Sequence, residues 1–264
     1  MKGTQNRLLE LVRDVEARPD TVWEILTTAE LFGAWMEGQA AFEPRVGSPF
    51  RIQFPQYEMV ISGEVVECDP DSYRLGLTWG HESGHNSDLL PPGTTLLEFN
   101  LQETEEGTRV ELRHSRIPSE GIEQELHGGW RFHLSRLALR ANRRDLEPAL
   151  GRALEHWFSA WNDKDDESRM EALRSCCADD VVFRDDWTAM QGVELLSLHI
   201  SNCFRFMPGW ELSATGDVRI CRGEALVGWT SLGLGGAAIQ GHNHLKMDLD
   251  GTIRRVVGFQ IPTD

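Results

Sequence analysis

Apolar residues recur along this chain at two periods, and the switches between them mark out its elements. A strand-like run reaches about Glu16, and the segment Pro19-Asp20-Thr21-Val22-Trp23-Glu24-Ile25-Leu26 follows. A proline near a helix start, with Val22, Ile25 and Leu26 at helical spacing, predicts a short amphipathic helix there. Phe50, Ile52 and Phe54 then alternate with Arg51 and Gln53, and Leu75, Leu77 and Trp79 alternate with Arg74, Gly76 and Thr78. A period of two predicts antiparallel strands with one buried face. Leu97, Phe99 and Leu101, then Val110, Leu112 and His114, continue it across the hairpin signal Glu105-Glu106-Gly107.

After Pro118 the period changes: Ile122, Leu126, Trp130, Leu134, Leu137 and Ala141 form one stripe at spacings of three and four, which predicts a long helix covering a sheet. Arg143-Arg144-Asp145-Leu146-Glu147-Pro148 reads as an interruption, after which Leu150, Leu154, Trp157, Phe158 and Trp161 begin another amphipathic helix. The domain boundary is therefore expected here, with one domain over 1–144 and a second over 148–264. The second half puts helices first: a further helix is predicted over 167–177 and another through Val193, Leu196, Ile200, Cys203 and Met207, ended by Pro208-Gly209. Between these two helices, Val181, Phe183 and Asp185 alternate as a short strand. Strands then dominate, with Asp250-Gly251 as a hairpin signal.

Composition sharpens this two-domain α+β picture. The 264 residues are about twice the size at which single domains are commonest, and 40% hydrophobic with 26% charged residues is ordinary for folded chains. A formal net charge of -16 repels phosphate backbones and anionic lipid, so neither nucleic acid nor a membrane is expected as a partner. Charge interrupts the apolar residues near the start and no run spans a bilayer, which points to a cytoplasmic protein. Five cysteines without a Cys-x-x-Cys pair suit reduced thiols better than a disulfide framework.

In the first half, Val22-Trp23, Ala34-Trp35, Phe42-Glu43-Pro44-Arg45-Val46-Gly47, Gly63-Glu64-Val65-Val66-Glu67, Gly107-Thr108-Arg109-Val110 and His127-Gly128-Gly129-Trp130 resemble, in order, the Aha-type branch of the START-like SRPBCC superfamily. The resemblance implies a helix-grip fold, in which the long helix closes a cavity over a curved sheet. In the second half, Trp157-Phe158-Ser159-Ala160-Trp161-Asn162-Asp163-Lys164-Asp165, Ala178-Asp179-Asp180-Val181-Val182-Phe183-Arg184-Asp185, Gly192, His199-Ile200 and Asp250-Gly251-Thr252-Ile253 resemble SnoaL-like members of the nuclear-transport-factor-two superfamily. That likeness implies a cone-shaped α+β barrel with an open apolar pocket, a fold shared by isomerases, cyclases, hydrolases and plain binding domains. It also implies a homodimer through the C-terminal domain.

The second resemblance places Asp185 at the general-base position of ketosteroid isomerases, where an apolar pocket brings a carboxyl closer to a working proton shuttle. The alternative is that Asp185 or Asp186 caps the following turn. Trp157 and Asn243 fall where the isomerases carry their proton donors; both are neutral donors, so steroid-type isomerisation is disfavoured while an oxyanion hole for cyclisation or another enolate reaction is retained. His199 shares a helix face with Leu196 and Cys203 and is a second candidate acid or base, set against a hydrogen-bonded core histidine. Phe183, Phe204, Phe206, Trp210, Trp229 and Phe259 are expected as aromatic lining or core, and His242 and His244 point away from the cone. Gly233-Leu234-Gly235-Gly236 lacks the residues of a phosphate loop and reads as a turn. In the first domain Trp79, Phe99, His114, Trp130 and His133 are expected near the cavity, and His81 through Asp88 reads as a loop over its mouth. No metal set or cofactor motif is recognised.

The leading expectation is a small, largely apolar ligand in one or both pockets. The alternatives are an isomerase, cyclase or hydrolase working through Asp185, which requires an open pocket of at least ~300 Å³ beside it, and a chaperone-interacting protein.

Overall fold

The computed structural model describes residues 6–232 and 238–261, so Gly233-Leu234-Gly235-Gly236 lies outside the described residues. The chain divides into two compact units, Met1–Asn142 and Arg143–Asp264. Each is α+β, as expected from the two periods.

In the N-terminal unit, β1 (Arg7–Val15) precedes α1 (Pro19–Thr27), α2 (Ala29–Met36), β2 (Gln39–Ala41) and β3 (Pro49–Phe54). A single 3-10 turn at Pro55–Tyr57 leads to β4 (Met59–Asp69), β5 (Arg74–Ser83), β6 (Thr95–Thr104) and β7 (Gly107–Ile117). The seven strands make one antiparallel sheet in the order β1-β7-β6-β5-β4-β3-β2. Alternation decides which face is covered: Phe50, Ile52, Leu75, Leu77, Leu97, Phe99, Val110 and Leu112 are buried together with Ile122, Trp130, Leu134, Leu137 and Ala141 from α3 (Glu120–Asn162). Ser119 starts that helix by accepting the Ile122 amide on its hydroxyl, and Asn142 ties it to the residue that follows β1 by donating Nδ2 to the Glu16 carbonyl at 2.7 Å.

The predicted interruption does not occur: α3 is one helix of 43 residues with Pro148 inside it. An interior proline costs roughly 3 kcal/mol through its lost amide donor and ring clash. Helix-forming Leu, Ala, Arg and Glu on both sides, and the burial of Leu150, Ala153, Trp157 and Ala160 in the C-terminal core, outweigh that cost.

The C-terminal unit continues with α4 (Asp166–Cys176), β8 (Cys177–Arg184), β9 (Ala189–Gln191), α5 (Val193–Phe206), β10 (Glu211–Cys221), β11 (Glu224–Leu232), β12 (Ala238–Met247) and β13 (Ile253–Gln260). Its sheet runs β10-β11-β12-β13-β8-β9, antiparallel except for the β13–β8 pair. The Asp165 carboxylate caps α4 by accepting the amides of Glu167 and Ser168. Asn162 finishes α3 by exchanging two side-chain hydrogen bonds of 2.8 Å with the backbone of Leu212 on β10. Among the described residues, no helix is long and apolar enough to cross a membrane.

Candidate functional site

Alternation along β5 puts Trp79 and His81 on one face, and helical spacing along α3 puts Leu126, Trp130 and His133 on another. These side chains border a cavity of about 310 Å³ with Met36, Phe54, Tyr57, Met59, Ile61 and Leu90. The segment after β5 completes the wall: His85 Nε2 lies 3.1 Å from Glu125 Oε1, and Asn86 Nδ2 donates to Glu125 Oε2 at 3.0 Å. His81, expected in this segment, instead ends inside β5, where its amide donates to the Leu90 carbonyl.

Gly80 makes this closure geometrically possible, since a Cβ there would lie 2.0 Å from the Pro91 carbonyl oxygen. Gly80→Ala is expected to push the Pro91 segment off β5 and to destabilise the chain by about 2–3 kcal/mol. Hydrogen exchange of the His81 amide checks this; unchanged protection in the variant would contradict it.

Two expected lining residues lie elsewhere. Phe99 is buried in the core between Trp35 and Trp130, where packing leaves it no cavity face. His114 is buried behind Trp130 and works in a hydrogen-bond chain. Trp130 Nε1 donates to His114 Nδ1 at 2.9 Å, which leaves the ring proton on Nε2 to be donated to Thr95 Oγ1 at 2.7 Å. Thr95 in turn donates to the Trp79 carbonyl at 2.9 Å. Burial lowers His114 to about 3, so the imidazole is neutral at physiological pH, as the chain requires.

His133 is lowered to about 4, first by burial and then by the nearby Arg136 cation. His81 is also lowered by burial, partly offset by a hydrogen bond to the His85 backbone and by Glu125. Around the cavity, Trp79 Nε1, His81 Nδ1 and His133 Nδ1 are buried without a hydrogen-bond partner. A buried polar atom left unpaired costs about 1–3 kcal/mol.

In the C-terminal unit, β8 ends one residue before Asp185. Its Oδ1 accepts the amides of Trp187 at 2.9 Å and Thr188 at 2.8 Å, so Asp185 does cap a turn. The other oxygen, Oδ2, lies 3.9 Å from His199 Nε2. The His199 ring packs against Trp161 and Phe183. Burial lowers its pKa, partly offset by the Asp185 charge. Cys203 Sγ is 3.8 Å from the same nitrogen, and burial, then the Asp185 charge, push the thiol up to about 11, which suits an unreactive neutral thiol. Trp229 Nε1 donates to Asn243 Oδ1 at 3.1 Å. A Cβ at Gly258 would come 3.2 Å from Asn243 Oδ1 and 3.4 Å from the Asp185 Cβ, so a glycine there lets the two side chains approach.

Asp185, His199, Phe183, Trp229 and Asn243 thus border one cavity with Trp161, Cys203, Met207 and Trp210. Four expected lining residues do not. Trp157 is buried in the core against Trp161 and Phe183; Phe204 packs partly buried against that core; Phe259 is 54% exposed. Phe206 is exposed as well. His242 borders a separate hollow, and His244 pairs with Glu224, both away from Asp185. The cavity itself measures about 40 Å³, room for about three water molecules, well below what a base acting on a small organic substrate needs. Trp161, Met207 and Trp210 occupy the space. Helical spacing marks Trp161 and Met207 as inward-facing; how much volume they fill depends on side-chain packing, which no spacing encodes.

Residues 16–141 match the family described as Activator of Hsp90 ATPase homolog 1-like protein, so the N-terminal resemblance is borne out. Solved structures similar to the chain include a protein from Mesorhizobium loti, 24% identical over 50% of this chain and 94% of that one, with a TM-score of 0.44. A candidate isomerase of the SnoaL-like family from Agrobacterium tumefaciens is 19% identical over 44% of this chain and 99% of its own, with a TM-score of 0.40. A candidate polyketide cyclase from Sinorhizobium meliloti is 19% identical over 40% of this chain and 92% of its own, with a TM-score of 0.35. A search of curated proteins found no match.

Proposed function

We propose that this chain, whose residues 16–141 carry the Activator of Hsp90 ATPase homolog 1-like match, holds a small, largely apolar ligand in the N-terminal cavity between the sheet and α3. The observation that carries the reading is the cavity itself. Its volume of about 310 Å³ lies in the range of small-molecule sites, and its walls are aromatic and aliphatic with a few polar groups. In the C-terminal unit the cavity beside Asp185 is far smaller, and the wider hollow of about 660 Å³ that His242 borders is lined mostly by polar residues and glycines such as Thr215, Asp217 and Arg219, so the apolar walls favour the N-terminal unit as the receptacle.

Gly129 gives a direct test. It borders the cavity on α3, and a Cβ there meets nothing within 4 Å, so a large side chain fits at that position without displacing backbone. Gly129→Phe is expected to keep the melting temperature, because glycine is the poorer helix former, while lowering affinity for the neutral apolar dye Nile red at least about tenfold. Fluorescence titration of both proteins reads this out. Equal dye binding in the two would place the ligand elsewhere.

A further inference from the structure

The cavity's walls are mainly aromatic and aliphatic, and the acidic side chains that border it, Glu37 and Glu125, have no lysine or arginine among the lining residues. The guanidinium of Arg136 is committed outside the lining: Nη1 lies 2.7 Å from Glu37 Oε1, and Nε donates to the Trp35 carbonyl. Glu125 is engaged by Asn86 and by His85, the lining histidine most exposed to solvent. Burial keeps the imidazoles of His81 and His133 neutral at physiological pH. An anionic ligand would give up its hydration against mainly apolar walls that hold no buried cation, and the half-exposed, already paired carboxylates at the rim would add a weaker, solvent-screened repulsion.

Three unpaired atoms, buried on side chains that border the cavity, define the other half of the chemistry. The Trp79 indole N–H can only donate. The Nδ1 atoms of His81 and His133 donate or accept according to which ring nitrogen holds the proton. A carbonyl oxygen satisfies only donors, whereas a hydroxyl group donates and accepts and so satisfies any of these atoms in either tautomer. Trp130, Phe54 and Tyr57 give the lining aromatic surface suited to a flat ring.

We infer that the cavity selects an uncharged ring compound bearing a hydroxyl group and refuses carboxylates and phosphates. This rests on the reading of the N-terminal cavity as the ligand site. Calorimetric titration of the full chain at neutral pH with naphthalene, 1-naphthol and 1-naphthoate separates the two claims. The expected order is 1-naphthol at least about tenfold tighter than naphthalene, and 1-naphthoate at least about tenfold weaker than 1-naphthol. Trp79→Phe, which removes the N–H and shrinks the indole to a phenyl ring, is expected to weaken 1-naphthol by a clearly larger factor than naphthalene. The double variant Glu37→Gln/Glu125→Gln is expected to gain affinity for 1-naphthoate, a rise that misfolding cannot produce. Naphthalene binding as tightly as 1-naphthol overturns the hydroxyl selection while leaving the pocket intact. Wild-type 1-naphthoate binding as tightly as 1-naphthol, or a double variant that gains nothing, overturns the charge selection. No binding of any of the three probes, together with no binding of Nile red, overturns the pocket reading and this inference with it.

Discussion

Between pH 6.5 and about 4.5 the chain should lose about 4 kcal/mol of folding stability through buried histidines, most of it above the range in which its carboxylates titrate. The sign follows from two neutral histidines. An unfolded histidine takes up a proton as pH falls through 6.5, whereas folded His114 resists until about 3 and folded His133 until about 4. The unfolded state therefore binds more protons throughout this window. Stability is fully present above pH 6.5 and is lost as pH falls, by about 1.4 kcal/mol per unit for each group. His81, also lowered by burial, acts in the same direction. Trp130 Nε1 already donates to His114 Nδ1, so a second ring proton there would set two donors against each other. Urea denaturation followed by near-ultraviolet circular dichroism across this range measures the loss; a midpoint unchanged from pH 7 to 4.5 would contradict it.

Trp35→Ala is expected to cost about 3–5 kcal/mol, the largest effect of any single truncation in the N-terminal unit. Trp35 has no exposed surface, its ring meets Phe32, Phe99 and His133, and its indole N–H donates to the His133 carbonyl at 2.7 Å. It therefore joins α2 to both the sheet and α3. Trp35→Phe keeps most of the volume and should recover more than half of the loss. Thermal denaturation of both variants checks this, and a melting temperature in Trp35→Ala within a degree or two of the parent would mean that α2 is dispensable to the core.

Residues at regular spacing were the legible ones. The stripe from Ile122 to Ala141 and the alternations through β3, β5, β6 and β7 fall where the periods put them. The breaker at Pro148 was legible and misleading, because its cost is local while the burial of Leu150 and Trp157 around it is not. Helix α2 has no clean stripe, and Gly33 lies inside it. In the fold that glycine serves a close approach, since a Cβ there would lie 2.8 Å from the Ala40 amide. Strand β10 buries only Leu212 fully, so it shows no apolar alternation. At the C-terminal cavity, the convergence of Asp185, His199 and Asn243 was legible through resemblance. The turn-capping role of Asp185 was foreseen as an alternative and coexists with that placement. Side-chain volume was not legible: the narrowness of the C-terminal cavity and the breadth of the N-terminal one arise from residues of several elements, such as Met36, Ile61 and Leu90, that meet only in the folded chain.

The parallel pairing of β8 with β13 has a consequence for synthesis on the ribosome. Val182 and Phe183 leave the exit tunnel early, and the partners that cover their far edge, Arg255 and Val256, are among the last residues of the unit to follow. Until then the inner edge of β8 carries unpaired amides and carbonyls beside apolar Val181 and Phe183, with three-residue β9 protecting only the other edge. The β8–β13 pair must therefore close after the strands between the two have been made, and until it does that edge of β8 is open to aggregation.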